Sequence, residues 1–153
     1  MTGKNLKIKT GKVIAVSISK TKGEKKKNVL SAELKPDFGI MGDVHAGGNR
    51  QVSLLALESI AKMQDKGLKV NPGDFAENIT TQGIDLLKLS LGDKIKVGKS
   101  AVLEINQIGK DCHNRCNIYY QAGDCVMPKE GIFARVLEGG IIQPGDKLEV
   151  EGV

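Results

Sequence analysis

The chain has 153 residues with a formal net charge of +5, no tryptophan, two tyrosines and three phenylalanines. A chain of this length is expected to form one domain, residues 1–153, with residues 1–10 as an N-terminal tail. It contains no apolar run long enough to span a bilayer, and residues 1–10 lack the apolar core of a signal peptide. We therefore expect a cytoplasmic protein that makes no contact with a membrane.

Most of the excess positive charge lies in one short segment. Residues 20–27 carry five lysines and one glutamate, a net charge of 5 − 1 = +4, contributed by Lys20, Lys22, Lys25, Lys26 and Lys27 against Glu24. No aromatic residue accompanies these lysines, whereas single-strand binders combine basic groups with stacking platforms. The pattern indicates a solvated hairpin tip and no nucleic-acid partner.

Short apolar segments separated by Gly-Asp pairs predict many strands joined by tight turns. Residues 12–19 and 28–34 are predicted strands, with the lysine-rich segment as the hairpin loop between them. Another strand is predicted at 51–56. Directly after it, residues 57–64 follow helical spacing, and Gly67 is placed to end the helix.

The second half of the chain continues the strand pattern. Residues 93–97 alternate polar and apolar side chains, and residues 102–108 run back as the second strand of a hairpin. Two further strands are predicted at 132–137 and 147–150.

Three similar turns are predicted to introduce strands. Pro-Gly-Asp occurs at 72–74 and 144–146, and Leu-Gly-Asp at 91–93 is a close variant. Many short strands with one or two short helices favour a mainly β fold, a closed or half-closed β-barrel, because a barrel removes exposed sheet edges.

A glycine-rich segment at 39–51, GIMGDVHAGGNRQ, is the first candidate site. Glycine lets a backbone approach a ligand closely, so amide N–H groups and Arg50 could hold an anion beside Asp43 and His45. The alternative is an irregular connection in which Asp43 only fixes a turn.

A second candidate is the segment 72–81, PGDFAENITT. Glu77 and Asn78 precede a β-branched run, so either could reach a pocket, and the amide of Asn78 suits the edge of a heterocycle. Equally, Asp74 and Asn78 could satisfy backbone groups in a turn.

All three cysteines lie within residues 107–140. Cys112 is surrounded in sequence by Lys110, His113 and Arg115, and neighbouring cations favour the thiolate that binds soft metals or carries sulfur. A zinc site or a disulfide between Cys112 and Cys116 is the weaker interpretation, because the spacing differs from Cys-x-x-Cys. Cys125 is interpreted as a small buried residue, and the same role is favoured for Cys116.

Arg135 stands inside an apolar strand, residues 132–137. An arginine in a strand faces solvent or has an anionic partner, because an unpaired buried charge is too costly. If Arg135 faces inward, a phosphate is a suitable partner.

Taken together and in order, these motifs resemble the MOSC domain family, named for the C-terminal domain of eukaryotic molybdenum cofactor sulfurase. The resemblance extends from about Gly11 to Val150. The matching pieces are Gly42-Asp43-Val44-His45 with Arg50-Gln51, residues 72–79, residues 91–93, residues 107–112 and residues 131–136.

The resemblance implies a β-barrel related to the barrel domain of pyruvate kinase, and a molybdenum cofactor (Mo-molybdopterin) as ligand. Cys112 matches the family's characteristic cysteine, which implies that it is the metal ligand and the catalytic residue. The loop that carries Asp43 would hold the cofactor. Its phosphate would contact Arg50, Lys110 and Arg135, and its pterin edge would contact His45 and Asn78. No pyridoxal phosphate is expected.

Three functions follow from this resemblance. The first is a cofactor-binding protein, in its enzymatic version a reductase of N-hydroxylated compounds that takes electrons from a separate donor protein, since no flavin or iron-sulfur motif is present. The second is a sulfur carrier with a persulfide on Cys112, supplied by a cysteine desulfurase. The third is a non-enzymatic cofactor-binding module.

Overall fold

The computed structural model describes residues 10–21, 25–109 and 130–151. These residues form eleven strands, one α-helix and a single 3-10 turn at Leu86–Lys88. In chain order they are β1 Thr10–Ile18, β2 Lys27–Val29, β3 Ala32–Lys35, β4 Gly39–Ile40, β5 Val52–Ala56, α1 Leu57–Asp65, β6 Ile79–Gln82, β7 Lys94–Val97, β8 Ala101–Ile108, β9 Ile132–Glu138, β10 Gly140–Ile142 and β11 Lys147–Val150.

Seven strands close into a barrel in the order β1, β6, β5, β9, β8, β7, β11. The ring closes where β11 pairs antiparallel with β1, with Thr10 opposite Glu149. Six of the seven pairings are antiparallel, and only β5 and β6 run parallel, joined through α1. The predicted mainly β fold with a closed barrel is confirmed.

A small second sheet lies beside the barrel and leads the chain to the glycine-rich segment. Its strand order is β10, β3, β4, and Leu34 of β3 pairs with both Gly140 and Ile40. The glycine-rich segment therefore begins at the end of one sheet and ends at the start of a barrel strand, β5.

Alternation along the strands separates two apolar clusters. One side of each barrel strand fills the interior with fully buried residues such as Val13, Leu54, Leu103 and Leu148. The other cluster lies between the barrel wall and α1, and it consists of Leu55, Ile60, Met63, Val70, Phe75 and Phe133. The amphipathic helix predicted from the sequence packs through this second cluster, and Gly67 follows it with a φ of 90°.

The three predicted turns share one geometry. In each, a glycine with φ between 90° and 95° precedes the aspartate, and the aspartate carboxylate accepts a hydrogen bond from the backbone N–H three residues earlier. The donors are Asn71, Ser90 and Gln143, at 2.9, 2.8 and 2.9 Å. These three Gly-Asp pairs therefore mark a repeated turn, as predicted. The turns at 91–93 and 144–146 lead directly into β7 and β11, whereas β6 begins only at Ile79, so the turn at 72–74 does not introduce a strand directly.

One predicted strand is divided. The hairpin of residues 12–19 with 28–34 forms, with Val16 opposite Val29. However, the second strand breaks at Leu30, which is 91% exposed, and β2 and β3 on either side of the break pair in different sheets. Within the described residues, no helix has both the length and the apolarity needed to cross a bilayer.

Candidate functional site

The glycine-rich loop is a compact series of turns between β4 and β5. Gly42 and Gly47 have φ values of 87° and 84°, which allow the chain to reverse direction twice. The six consecutive amides of residues 43–48 each donate a hydrogen bond to an acceptor within the protein. The prediction that amides of this loop hold an anion is therefore wrong for residues 43–48, because each of these N–H groups already has an acceptor within the protein.

The carboxylate of Asp43 is the buried centre of the loop. Its Oδ1 accepts hydrogen bonds from Lys26 Nζ at 2.7 Å and from the Ser19 backbone N–H at 3.0 Å. Its Oδ2 accepts from the backbone N–H of His45 at 3.1 Å. The side chains of Asp43 and Lys26 are both 0% exposed, so this is a buried ion pair. Asp43 does more than fix a turn, because it also holds a lysine from a distant segment.

Burial by itself would raise the pKa of Asp43. The nearby His45 side chain, the hydrogen bonds from Lys26 and Ser19, and the positive charge of Lys26 together outweigh burial and hold the pKa of the carboxyl well below its ordinary 3.8. The Asp43 carboxylate therefore stays ionised at neutral pH and compensates the charge of Lys26.

His45 lies beside this pair and is partly exposed. Its Nδ1 is 3.1 Å from Lys26 Nζ, while the same nitrogen is 3.7 Å from Asp43 Oδ2, beyond hydrogen-bonding distance. The His45 side chain is 35% exposed. The Nδ1 edge of the imidazole is thus held inside the protein, while the rest of the ring faces an open pocket on the outside of the glycine-rich loop.

Arg50 lies at the end of the loop, on the same pocket. Its guanidinium stacks over the ring of Phe133 at 5.3 Å, and its Nε donates to Gln107 Oε1 at 3.2 Å. Gln107 Nε2 in turn donates to the carbonyl of Gly109 at 2.8 Å. The guanidinium is therefore oriented by β8 and β9, while the residue as a whole remains exposed.

These side chains surround an open pocket of about 540 Å³. Its lining consists of Val44, His45, Ala46, Gly47, Gly48, Asn49, Arg50 and Gln107. Gln107, on the pocket, lies two residues before Gly109, whose backbone N–H donates to the carbonyl of Gly131 at 2.7 Å. This hydrogen bond joins two described residues on either side of the cysteine segment, residues 110–129.

Glu130, the residue before Gly131, is fixed to α1. It accepts hydrogen bonds from Ser59 Oγ at 2.6 Å and from Lys62 Nζ at 3.0 Å. The two ends of the cysteine segment are consequently tied to the barrel wall at Gly109 and to α1 at Glu130.

The Pro-Gly-Asp turn at 72–74 positions Lys26. Gly73, with φ 94°, accepts a hydrogen bond from the Lys26 backbone N–H at 2.9 Å through its carbonyl. Its neighbour Pro72 accepts from Asn28 Nδ2 at 2.9 Å. A Cβ on Gly73 would contact the Lys26 carbonyl oxygen, so only glycine allows this approach.

Glu77 closes the same turn from within. It is 0% exposed, and its carboxylate accepts hydrogen bonds from Gly73 N, Phe75 N and Thr80 Oγ1 at 3.0, 3.2 and 2.9 Å. Burial raises the pKa of Glu77 above its ordinary 4.5, although the three hydrogen bonds oppose the shift. Glu77 therefore provides hydrogen-bond acceptors for the backbone N–H groups of this turn.

Asn78 joins three strands and is only 1% exposed. Its Oδ1 accepts from the Ser53 backbone N–H at 3.0 Å, and its Nδ2 donates to the carbonyl of Ser17 at 3.0 Å. The structure thus brings Asn78 to the buried support of the site and not to the lining of the pocket. A contact of Asn78 with a pterin edge stays a prediction.

Arg135 faces away from the barrel interior and is 45% exposed. Its Nε donates to Glu104 Oε1 at 2.8 Å across the β8–β9 pair. The inward orientation that would have called for a phosphate is not observed, and the anionic partner in this structure is Glu104.

The predicted Cys112 and Lys110, like the alternatives involving Cys116, His113 and Cys125, lie outside the described residues. Among residues 10–21, 25–109 and 130–151, no cluster of His, Cys, Asp and Glu is arranged to hold a metal ion.

Two site residues were missed from the sequence. The predicted place of Lys26 in a solvated hairpin tip is wrong, because its side chain is fully buried against Asp43. The sequence alone does not show which of the five lysines in this segment is buried. Gln107 belongs to the segment 107–112 but not to the predicted site; its hydrogen bond with Arg50 joins residues 57 positions apart, which the sequence does not indicate.

Fold and site together define a class of protein: a closed β-barrel with an open pocket on its glycine-rich loop, lined by His45, Arg50 and Gln107. The MOSC domain model matches residues 41–149. The chain belongs to the MOSC domain family. The sequence found no match among curated proteins.

Solved structures with the same fold are known from three bacteria. The YUAD protein of Bacillus subtilis superposes with a TM-score of 0.77 at 22% identity, covering 92% of this chain and 95% of that one. YiiM of Geobacillus stearothermophilus has a TM-score of 0.69 at 20% identity, covering 93% of this chain and 75% of its own. YiiM of Escherichia coli has a TM-score of 0.68 at 20% identity, covering 94% and 70%. At these identities the similarity concerns the fold.

Proposed function

We propose that this protein binds a pterin-based molybdenum cofactor in the loop pocket, with Cys112 as the thiolate ligand of the metal. The observation that carries the proposal is the set of side chains on the pocket. Arg50 and His45 line a concavity of about 540 Å³, a volume within the range of small-molecule sites. Membership of the MOSC domain family supports the class of ligand.

The described residues fit the anionic part of such a cofactor. Arg50 lines the pocket, and a guanidinium suits a phosphate because it offers paired donors in one plane. Asp43 does not oppose an anion there, since Lys26 already neutralises its charge. Contacts of Arg135, Lys110 and Asn78 with the cofactor remain predictions.

Gln107, which lines the pocket, is followed two residues later by Gly109, the last described residue before the cysteine segment. Cys112 follows Gly109 by three residues, a chain length that spans at most about 11 Å. A thiolate is a suitable ligand for a metal that is also bound by dithiolene sulfur, because both are soft donors. When bound, the cofactor would supply two-electron redox chemistry, while Arg50 and His45 would bind and orient it.

The test is the metal and pterin content of protein produced with added molybdate and purified without oxygen. We expect molybdenum and pterin in near-equal amounts in the wild type. Cys112→Ser should lose metal, Arg50→Gln should lose pterin, and Lys147→Gln, which removes a positive charge outside the pocket, should retain both. Wild-type protein that holds neither, even after incubation with isolated cofactor, would contradict the proposal.

Two further measurements separate the possible roles of the bound protein. Turnover of hydroxylamines with an artificial electron donor would support the enzymatic version, and its absence in loaded protein would leave a binding module. A gain of one sulfur atom at Cys112 after incubation with a cysteine desulfurase, in protein free of molybdenum, would support the sulfur carrier.

A further inference from the structure

The contact between Lys26 and His45 determines which ring nitrogen of His45 carries hydrogen. Lys26 Nζ is an ammonium group with donors only, and it lies 2.7 Å from Asp43 Oδ1 and 3.1 Å from His45 Nδ1. A hydrogen bond at the second distance requires that Nδ1 accept. In the neutral ring the hydrogen then resides on Nε2.

A competing arrangement exists within the same cluster. The alternative tautomer would donate from Nδ1 to Asp43 Oδ2, but these atoms are 3.7 Å apart, and Oδ2 already accepts from the His45 backbone N–H at 3.1 Å. The shorter contact with Lys26 is therefore the one that selects the tautomer.

We propose that Lys26 is a positioning residue that sets His45 as an Nε2–H donor, and that His45 and Arg50 form a donor pair for a phosphate-type oxyanion. The His45 ring is 35% exposed and lines the pocket, whereas Lys26 is fully buried on its other edge. The outward nitrogen is consequently a donor. Arg50 adds further donors and no acceptor, so the pair favours groups rich in anionic acceptor oxygens, such as a phosphate.

The assignment of the tautomer stands without the proposed function, whereas the oxyanion pair deepens it and rests on the same pocket. Nitrogen-15 NMR of the imidazoles tests the tautomer directly, because protonated and unprotonated ring nitrogens resonate far apart. The chain has two histidines, so the His113→Gln variant assigns the signals. At a pH above the observed titration of the ring, we expect His45 with hydrogen on Nε2. Hydrogen predominantly on Nδ1 would overturn the proposal.

The role of Lys26 is tested by substitution. In Lys26→Met the nearest partner for Nδ1 becomes Asp43, so we expect the population with hydrogen on Nδ1 to rise by roughly tenfold or more. Lys26→Arg, which keeps a donor, should restore the Nε2–H form. An unchanged tautomer in a folded Lys26→Met protein would refute the positioning role, and if that variant does not fold, the wild-type spectrum still decides the tautomer.

Titration with inorganic phosphate tests the donor pair. We expect a saturable change in the His45 ring signals of the wild type, weakened at least roughly tenfold in Arg50→Gln and unchanged in Lys147→Gln. A ring that does not respond to phosphate would overturn the donor pair. Phosphate binding in a protein that takes up no molybdenum or pterin would instead contradict only the cofactor proposal.

Discussion

Asp43 determines the local arrangement of the candidate site at the scale of single residues. A carboxylate at a fully buried position is costly unless it is paired and hydrogen-bonded. Here it has a cation, Lys26, and two backbone N–H donors, Ser19 and His45. Removing one partner leaves the other as an uncompensated buried charge, which costs more than the pair itself contributes.

We therefore expect Asp43→Asn to lower the free energy of unfolding by about 3 kcal/mol at neutral pH, because Lys26 loses its counter-ion. Urea unfolding followed by circular dichroism measures the difference. Arg135→Gln is the matched control, since it breaks an exposed ion pair with Glu104 that is worth less than about 1 kcal/mol. Equal losses in the two variants would contradict the buried pair.

The lowered pKa of Asp43 predicts a pH dependence with a definite sign. A carboxyl whose folded-state pKa lies below its unfolded value of 3.8 contributes its full stability above pH 3.8, and this contribution falls as the pH drops below that value. The stability gap between the wild type and Asp43→Asn should therefore narrow below pH 3.8. A gap of constant size from neutral pH to pH 3 would rule out this linkage.

Glu77 contributes to the free energy of unfolding with the opposite pH dependence. The effect of Asp43 is therefore measured as the difference between the wild type and Asp43→Asn. The raised pKa of Glu77 gives a contribution that is complete below pH 4.5 and is lost as the pH rises through the folded-state value. The wild-type curve contains both effects, whereas the difference between the wild type and Asp43→Asn removes that of Glu77.

At the scale of elements, the same turn serves two purposes. The turns at Gly92 and Gly145 have open space where a Cβ would lie, so they only introduce strands. The turn at Gly73 packs against the backbone of Lys26 and fixes the segment that carries the buried cation. Of the three similar turns, the one at 72–74 thus also holds the segment that carries Lys26.

Alanine substitutions should distinguish these two uses. Gly145→Ala should cost about 1 to 2 kcal/mol, the strain of a left-handed backbone with a side chain. Gly73→Ala should cost at least about 2 kcal/mol more, because it also disturbs the hydrogen bond to Lys26 N–H. Urea unfolding gives both values, and similar losses would mean that the turn at 72–74 does not hold Lys26.

At the scale of the whole molecule, the barrel is closed by pairing between the first and last described strands, β1 and β11. Pairing of Thr10 with Glu149 joins residues 139 positions apart (149 − 10 = 139), and Leu148 of the closing strand is fully buried. Strand pairing over such a separation is entropically expensive, so the closing strand must be held by packing in the interior.

Leu148→Ala should accordingly reduce stability by about 2 to 5 kcal/mol and speed amide exchange in β1, because the cavity weakens the closure. Ile141→Ala, at a residue 66% exposed on β10, should change stability by less than about 0.5 kcal/mol. Amide hydrogen exchange combined with urea unfolding tests both. If exchange in β1 were unaffected by Leu148→Ala, closure would not depend on this side chain.

Local patterns in the sequence determined most of the elements. Short apolar or alternating segments predicted β7, β8, β9 and β11 to within a residue or two, helical spacing predicted α1, and the Gly-Asp pairs predicted three equivalent turns. These features depend on neighbours a few residues away, which is why a single sequence is sufficient. The glycine-rich loop with Asp43, His45 and Arg50 was also recognisable, since its residues are close in the chain.

Only the tertiary structure decided which side chains meet. It buried Lys26 and left the other described lysines of its segment outside the core, it turned Arg135 towards Glu104, and it used Asn78 to join strands. Each outcome depends on a partner 17 or more residues away, brought near by strand register and by barrel closure. The spacing of residues along the chain does not show which distant side chains will meet. In the folded protein a buried charge or amide without a partner costs too much free energy, so only arrangements that supply a partner are stable.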